Sequence, residues 1–67
     1  MSVYKTIEVI AGSSKGWEAA AGEALKAASK SINNITSIWI KDQSATVTNG
    51  EITEYRVNAK ITFRVGK

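Results

Sequence analysis

The sequence predicts an α+β fold, a β-α-β-β subunit in which a three-stranded antiparallel or mixed sheet (order 1-3-2) packs on one helix. Three observations predict it. The chain opens with Val3, Ile7 and Val9 on one strand face and closes with apolar residues at every second position, carries one Ala-rich amphipathic stretch between them, and has an Asn49-Gly50 pair inside its second half.

Residues 3–11, VYKTIEVIA, put Val3, Ile7 and Val9 on one face and Tyr4, Thr6 and Glu8 on the other, which is strand spacing. Gly12-Ser13-Ser14 breaks that run, and Ser14 is the expected N-cap of a helix. From Lys15 to Ile32 the residues are mostly strong helix formers. At about 100° per residue, Trp17, Ala21, Ala24, Leu25, Ala28 and Ile32 share one side. Lys15, Glu18, Gly22, Lys26, Ser29 and Lys30 take the other. The apolar stripe is narrow, so the helix can lie close to a sheet while burying little of its own. Asn33-Asn34 is the expected stop, since Asn tolerates the left-handed conformation.

Asn49-Gly50 is a strong hairpin signal, because a type I′ turn needs positive φ at both central residues. A two-residue loop sets the register of the two arms. It should bring Ile38 to Ile61, Ile40 to Ala59 and Thr36 to Phe63 on the helix side. The other side should pair Ser37 with Thr62, Trp39 with Lys60, Lys41 with Asn58 and Gln43 with Arg56. A β-bulge in either arm would shift these pairings by one. The helical crossover makes the first two strands parallel and the hairpin makes the third antiparallel to both, which gives the 1-3-2 order with the helix on one face.

Sixty-seven residues form one domain, 1–67, with a modest core. At 43% hydrophobic and 22% charged the composition is that of a folding chain, so the disordered class is excluded. With no Cys and no His, neither disulfides nor the usual zinc ligands are there to staple so small a domain. Oligomerisation is the support that remains, and two open sheet edges with an exposed Trp39 point the same way. The absence of a secretory leader or a long apolar run leads to the expectation of a cytoplasmic protein with no membrane partner.

The missing His and Cys also remove the commonest general base and the strongest nucleophile, so an enzyme is not expected. The six acidic residues form no paired-acid signature, although acids from several copies could together hold Ca²⁺ or Mg²⁺. Gly12-Ser13-Ser14-Lys15-Gly16 fails the P-loop spacing and reads as a turn with a cap. Trp17 opens the apolar stripe and reads as core. Trp39 falls among Lys41, Lys60 and Arg56 on the polar face. There an indole can stack on a flat ring while cations hold a phosphate, or be covered by a neighbouring subunit. The net charge of +3 permits nucleic-acid contact, but a single aromatic on that face and no RNA-binding signature speak against it.

Gly12-Ser13-Ser14, a helix carrying Trp17 and the Ala-rich Glu18 to Ala28, Asp42-Gln43, the Asn-Gly turn, and Tyr55-Arg56-Val57 leading to Ile61-Thr62-Phe63 together resemble the dodecin family. The resemblance covers nearly the whole chain. It implies a hollow homododecamer that stores or sequesters a small-molecule ligand, FMN or riboflavin, stacking the flavin ring between tryptophans of two subunits without redox turnover. Two positions depart from the flavin-binding pattern. The place of its stacking Trp is Ser37, and the place of its ring-binding Gln is Arg56. Trp39 lies two positions on, so it would stack the ring in a shifted pose. Met1 to Lys5, Trp17 and Tyr55-Arg56 look like the calcium dodecin branch, for which a cation-binding shell without flavin is the alternative. The residues expected at a flavin site are Ser37, Trp39, Lys41, Gln43, Arg56, Asn58 and Lys60.

Overall fold

The computed structural model describes residues 2–66. Its elements are β1 (Val3–Ser13), α1 (Trp17–Ser29), β2 (Ile35–Thr48) and β3 (Glu51–Val65). β3 lies in the centre and pairs antiparallel with both neighbours, giving the predicted order β1-β3-β2. It is also the strand with the cleanest alternation. Val57, Ala59 and Ile61 are buried on the helix side, while Asn58, Lys60 and Thr62 project from the other.

The helix lies across β1 and β3 on a stripe of Ala20, Ala24 and Ala28, all buried. Their spacing of four keeps them on one face, and side chains of one carbon let the backbone approach the sheet closely. Ile7, Val9, Ala11, Leu25, Ile35 and Ile38 close around this centre. Ile61, fully buried, is its largest member, so truncating it to Ala would cost about 2–5 kcal/mol.

Both helix ends differ from the reading of the sequence. β1 continues through Gly12 and Ser13, and the helix begins at Trp17 rather than Lys15. Ser14 does not cap it. The N-cap is Gly16, at φ 153° and ψ 174°, without a side-chain hydrogen bond. That is a backbone region held almost only by glycine. The serine used is Ser13, whose Oγ accepts from the Lys15 N–H at 3.0 Å. At the other end the helix stops at Ser29 rather than Ile32. Ser31 and Ile32 wind on with bonds to the Ala28 carbonyl, and Asn34 takes the left-handed conformation at φ 65°.

The hairpin turn forms as predicted, with Asn49 at φ 54° and Gly50 at φ 78°. Four of the predicted pairs are present: Ile38 with Ile61, Ile40 with Ala59, Ser37 with Thr62 and Trp39 with Lys60. Three are corrected by bulges. One irregularity on β3 between Ile52 and Glu54 advances the register, and a second on β2 at Lys41 restores it. Between them Asp42, not Lys41, faces Asn58, and Gln43 faces Val57 instead of Arg56. A third bulge puts Ile35 opposite Phe63 in place of Thr36, whose hydroxyl donates to the Thr62 carbonyl at 3.2 Å.

The tip of the β2–β3 ribbon extends past the end of β1, whose pairing stops at Ser13 with Tyr55. The radius of gyration is 13.7 Å, against about 11 Å for a compact chain of this length. The accessible surface is 4855 Å², where a compact monomer of this mass shows about 4,100 Å².

Candidate functional site

The face of the sheet away from the helix carries the exposed aromatic and most of the paired charge. Register arranges it in rows across β2, β3 and β1. Ser37, Thr62 and Thr6 form one row, Trp39, Lys60 and Glu8 the next, and Asp42, Asn58 and Ile10 the third. Ser44, Arg56 and Gly12 form the fourth.

Trp39 is 61% exposed, because the polar face has nothing above it and β2 is an edge strand. The Lys60 ammonium stands 5.6 Å from the centre of its ring, a cation–π contact. Lys41, the bulged residue, reaches across β3 to place Nζ 3.1 Å from Glu8 Oε2. That hydrogen bond, and then the lysine's charge, holds the Glu8 carboxyl below its ordinary pKa; smaller contributions come from a hydrogen bond with Asn58 and the charge of Lys60. The Asn58 carboxamide oxygen is buried and has no hydrogen-bond partner.

The structure therefore brings Trp39, Lys41, Asn58 and Lys60 together, with Ser37 one row to one side. Arg56 lies a row beyond Asn58, its Nε 3.8 Å from a Glu54 carboxylate oxygen. Gln43 does not join them, because the Lys41 bulge turns it to the face of Val57. The sequence reading missed Glu8 as a neighbour. Its signal was present: Ile7 and Val9 facing inward put Glu8 outward, and strand order 1-3-2 set it beside Lys60. Tyr4 and Ile10, both exposed on this face, also make it less polar than expected. Trp17 is half-buried rather than core; it meets Tyr55 edge-on at 4.8 Å and donates its indole N–H to the Ser44 carbonyl at 2.8 Å.

Two concave regions lie at the end of the sheet away from the hairpin turn, both lined by Asn34, Arg64 and Gly66. Among the described residues no group of three or more His, Cys, Asp or Glu is placed to hold a metal, and no helix is long and apolar enough to cross a membrane.

A single helix on an open sheet, with stacking and hydrogen-bonding groups on its free face, is the architecture of a small ligand-binding protein. Residues 3–66 match the dodecin family, and the chain belongs to it. It is 34% identical over 65 residues to the Mycobacterium tuberculosis protein named calcium dodecin, across 97% of this chain and 92% of that one. A crystal structure of a single-residue variant of the Thermus thermophilus dodecin matches with a TM-score of 0.94 at 30% identity over the whole of both chains. The crystal structure of the M. tuberculosis calcium dodecin, described as a calcium-chelating antigen with a novel calcium-binding site, matches with a TM-score of 0.82 at 36% identity. That match covers 92% of this chain and 89% of the other. The family read from the residues is borne out, together with the likeness to calcium dodecins.

Proposed function

We propose that this chain assembles into a hollow homododecamer that stores or sequesters a flavin, FMN or riboflavin, stacked on Trp39. The observation that carries the reading is the exposed Trp39 indole with the Lys60 ammonium beside it. One side of the ring is covered by that cation, and the strand that carries it, β2, is at the edge of the sheet. Trp39 sits one row from Ser37, a displacement of about 7 Å along the strand. The flavin is thus held in a pose shifted from the one that the family pattern implies. A bound flavin would supply the planar ring and, in FMN, the phosphate; this chain supplies the stacking surface and the cations.

Assembly accounts for the surface left open. The excess accessible area, the exposed Val47 and Ile52 at the ribbon tip and the two free edges all favour burial against other copies. The test is the absorption spectrum of the purified protein together with its native mass. Flavin bands on a particle of about twelve subunits support the reading, whereas a folded monomer without them overturns it.

A second reading, a cation-binding shell without flavin, is favoured by the likeness to calcium dodecin. With no cluster placed for it among the described residues of one subunit, such a site would draw Glu8 or Asp42 from more than one copy. Calcium titration by calorimetry on the assembled protein separates the two readings.

A further inference from the structure

We propose that this face takes a flavin dinucleotide in extended form, with the flavin ring on Trp39, an adenine on Tyr4 and the pyrophosphate between Lys60 and Arg64. The inference rests on the flavin reading above and names FAD as the form of flavin that fills the whole face.

Tyr4 is the second large aromatic here, and a site built on Trp39 alone leaves it unused. It is 52% exposed and stands on β1 opposite Arg64. Lys60, Thr62 and Arg64 alternate along β3, so they project from the same side of the sheet. Trp39 pairs with Lys60 from one flank of that strand, and Tyr4 pairs with Arg64 from the other. The two aromatics therefore stand at opposite corners of one block of the sheet, about 16 Å apart at the backbone. An exposed indole and an exposed phenol are both surfaces on which a flat heterocycle stacks.

The row between those corners is Ser37, Thr62 and Thr6. The Thr6 and Thr62 hydroxyls lie 3.2 Å apart. That contact takes the proton of one hydroxyl and leaves the proton of the other to donate to a ligand. Lys60 lies beyond Thr62 on one side and Arg64 on the other. Hydroxyls between two cations suit a chain rich in acceptors that carries more than one negative charge, which is a polyol running into a pyrophosphate. FMN ends at its first phosphate and leaves Tyr4 bare. In FAD the ribityl chain, pyrophosphate and ribose lead on to an adenine, and in extended form they are long enough for this span. The two molecules carry similar charge, so attraction to Lys60 and Arg64 separates them little and the adenine decides.

Calorimetric titration of the assembled wild-type protein with FAD and with FMN tests the inference without any variant. Emission serves less well, because the two rings of free FAD already stack on each other. FAD should bind about tenfold more tightly than FMN, the usual effect of one stacked base. In Tyr4→Leu that advantage should vanish while FMN affinity is unchanged, with native mass checking that the variant assembles. ADP, which has the adenine and the pyrophosphate but no flavin, should compete with FAD for the wild type and not with riboflavin. FAD binding no more tightly than FMN to the wild type, an undiminished advantage in Tyr4→Leu, or no competition between ADP and FAD would overturn the inference. Failure of FMN, riboflavin and FAD alike to bind the wild type would instead overturn the flavin reading, and this inference with it.

Discussion

The Lys60 ammonium stands 5.6 Å from the centroid of the Trp39 ring, on the strand directly opposite it. This cross-strand pair places a cation over one face of the indole. Replacing Lys60 with Met keeps the aliphatic stem and removes the charge. The loss of an exposed cation–π contact should lower stability by about 0.5–1 kcal/mol. Affinity for FMN should fall more than affinity for riboflavin, since only FMN offers a phosphate. In the wild type, raising salt should narrow the same difference, because exposed charges are screened. Parallel fluorescence titrations at two salt concentrations measure both effects.

The turn gives a test of the fold alone. Gly50 has φ 78°, and a side chain there would meet nothing within 4 Å, so any penalty comes from the backbone rather than from crowding. Gly50→Val should cost about 1 kcal/mol or more, as β-branched residues resist positive φ. Urea denaturation at fixed protein concentration reads the change, and an unmoved midpoint would contradict a type I′ turn.

Trp17 ties the start of the helix to the β2–β3 ribbon through its N–H bond to the Ser44 carbonyl. Trp17→Phe keeps an aromatic ring against Tyr55 and removes the donor. It should destabilise by about 1 kcal/mol, the usual net value of one such bond. A variant as stable as the wild type would show that the bond contributes nothing.

The Glu8–Lys41 bridge gives a pH dependence with a definite sign. The Glu8 carboxyl lies lower in the folded protein than in the unfolded chain. Its contribution to stability is therefore present above the unfolded value of about 4.3, and is lost as pH falls through the folded value. The stability difference between wild type and Glu8→Gln should be constant near neutrality and shrink as the solution is acidified below about pH 4. Carboxyl NMR titration should place Glu8 below the ordinary value, and Lys41→Met should return it toward that value.

The parts of this structure that are legible in the sequence are those where apolar residues mark the phase of a strand. Val57, Ala59 and Ile61 fix β3, and Asn49-Gly50 fixes the turn, so the strand order and four cross-strand pairs can be read from them. The bulge at Lys41 is hidden because Lys41-Asp42-Gln43-Ser44 is polar throughout and alternation there carries no phase. A weaker signal exists. Ile40 and Ala45 on β2, and Ile52 and Tyr55 on β3, share the helix side at odd spacings, which a regular strand cannot do. Each odd spacing requires one extra residue, and the two cancel between the turn and Trp39. That cancellation is why regular alternation places Trp39 opposite Lys60 correctly and misplaces Gln43. Ser14 is favoured over Ser13 for another reason: a glycine conformation at Gly16, rather than a serine side chain, starts the helix.

The most direct measurement is quenching of free FMN fluorescence by the assembled protein at tens of micromolar, beside the same titration with Trp39→Ala. An isoalloxazine stacked on indole loses its emission, so the wild type should quench FMN saturably. Trp39→Ala should weaken FMN and riboflavin by a similar factor, since stacking does not involve the phosphate. Absence of quenching by the wild type, or equal quenching by Trp39→Ala, would contradict a flavin held on this face and favour the cation-binding shell.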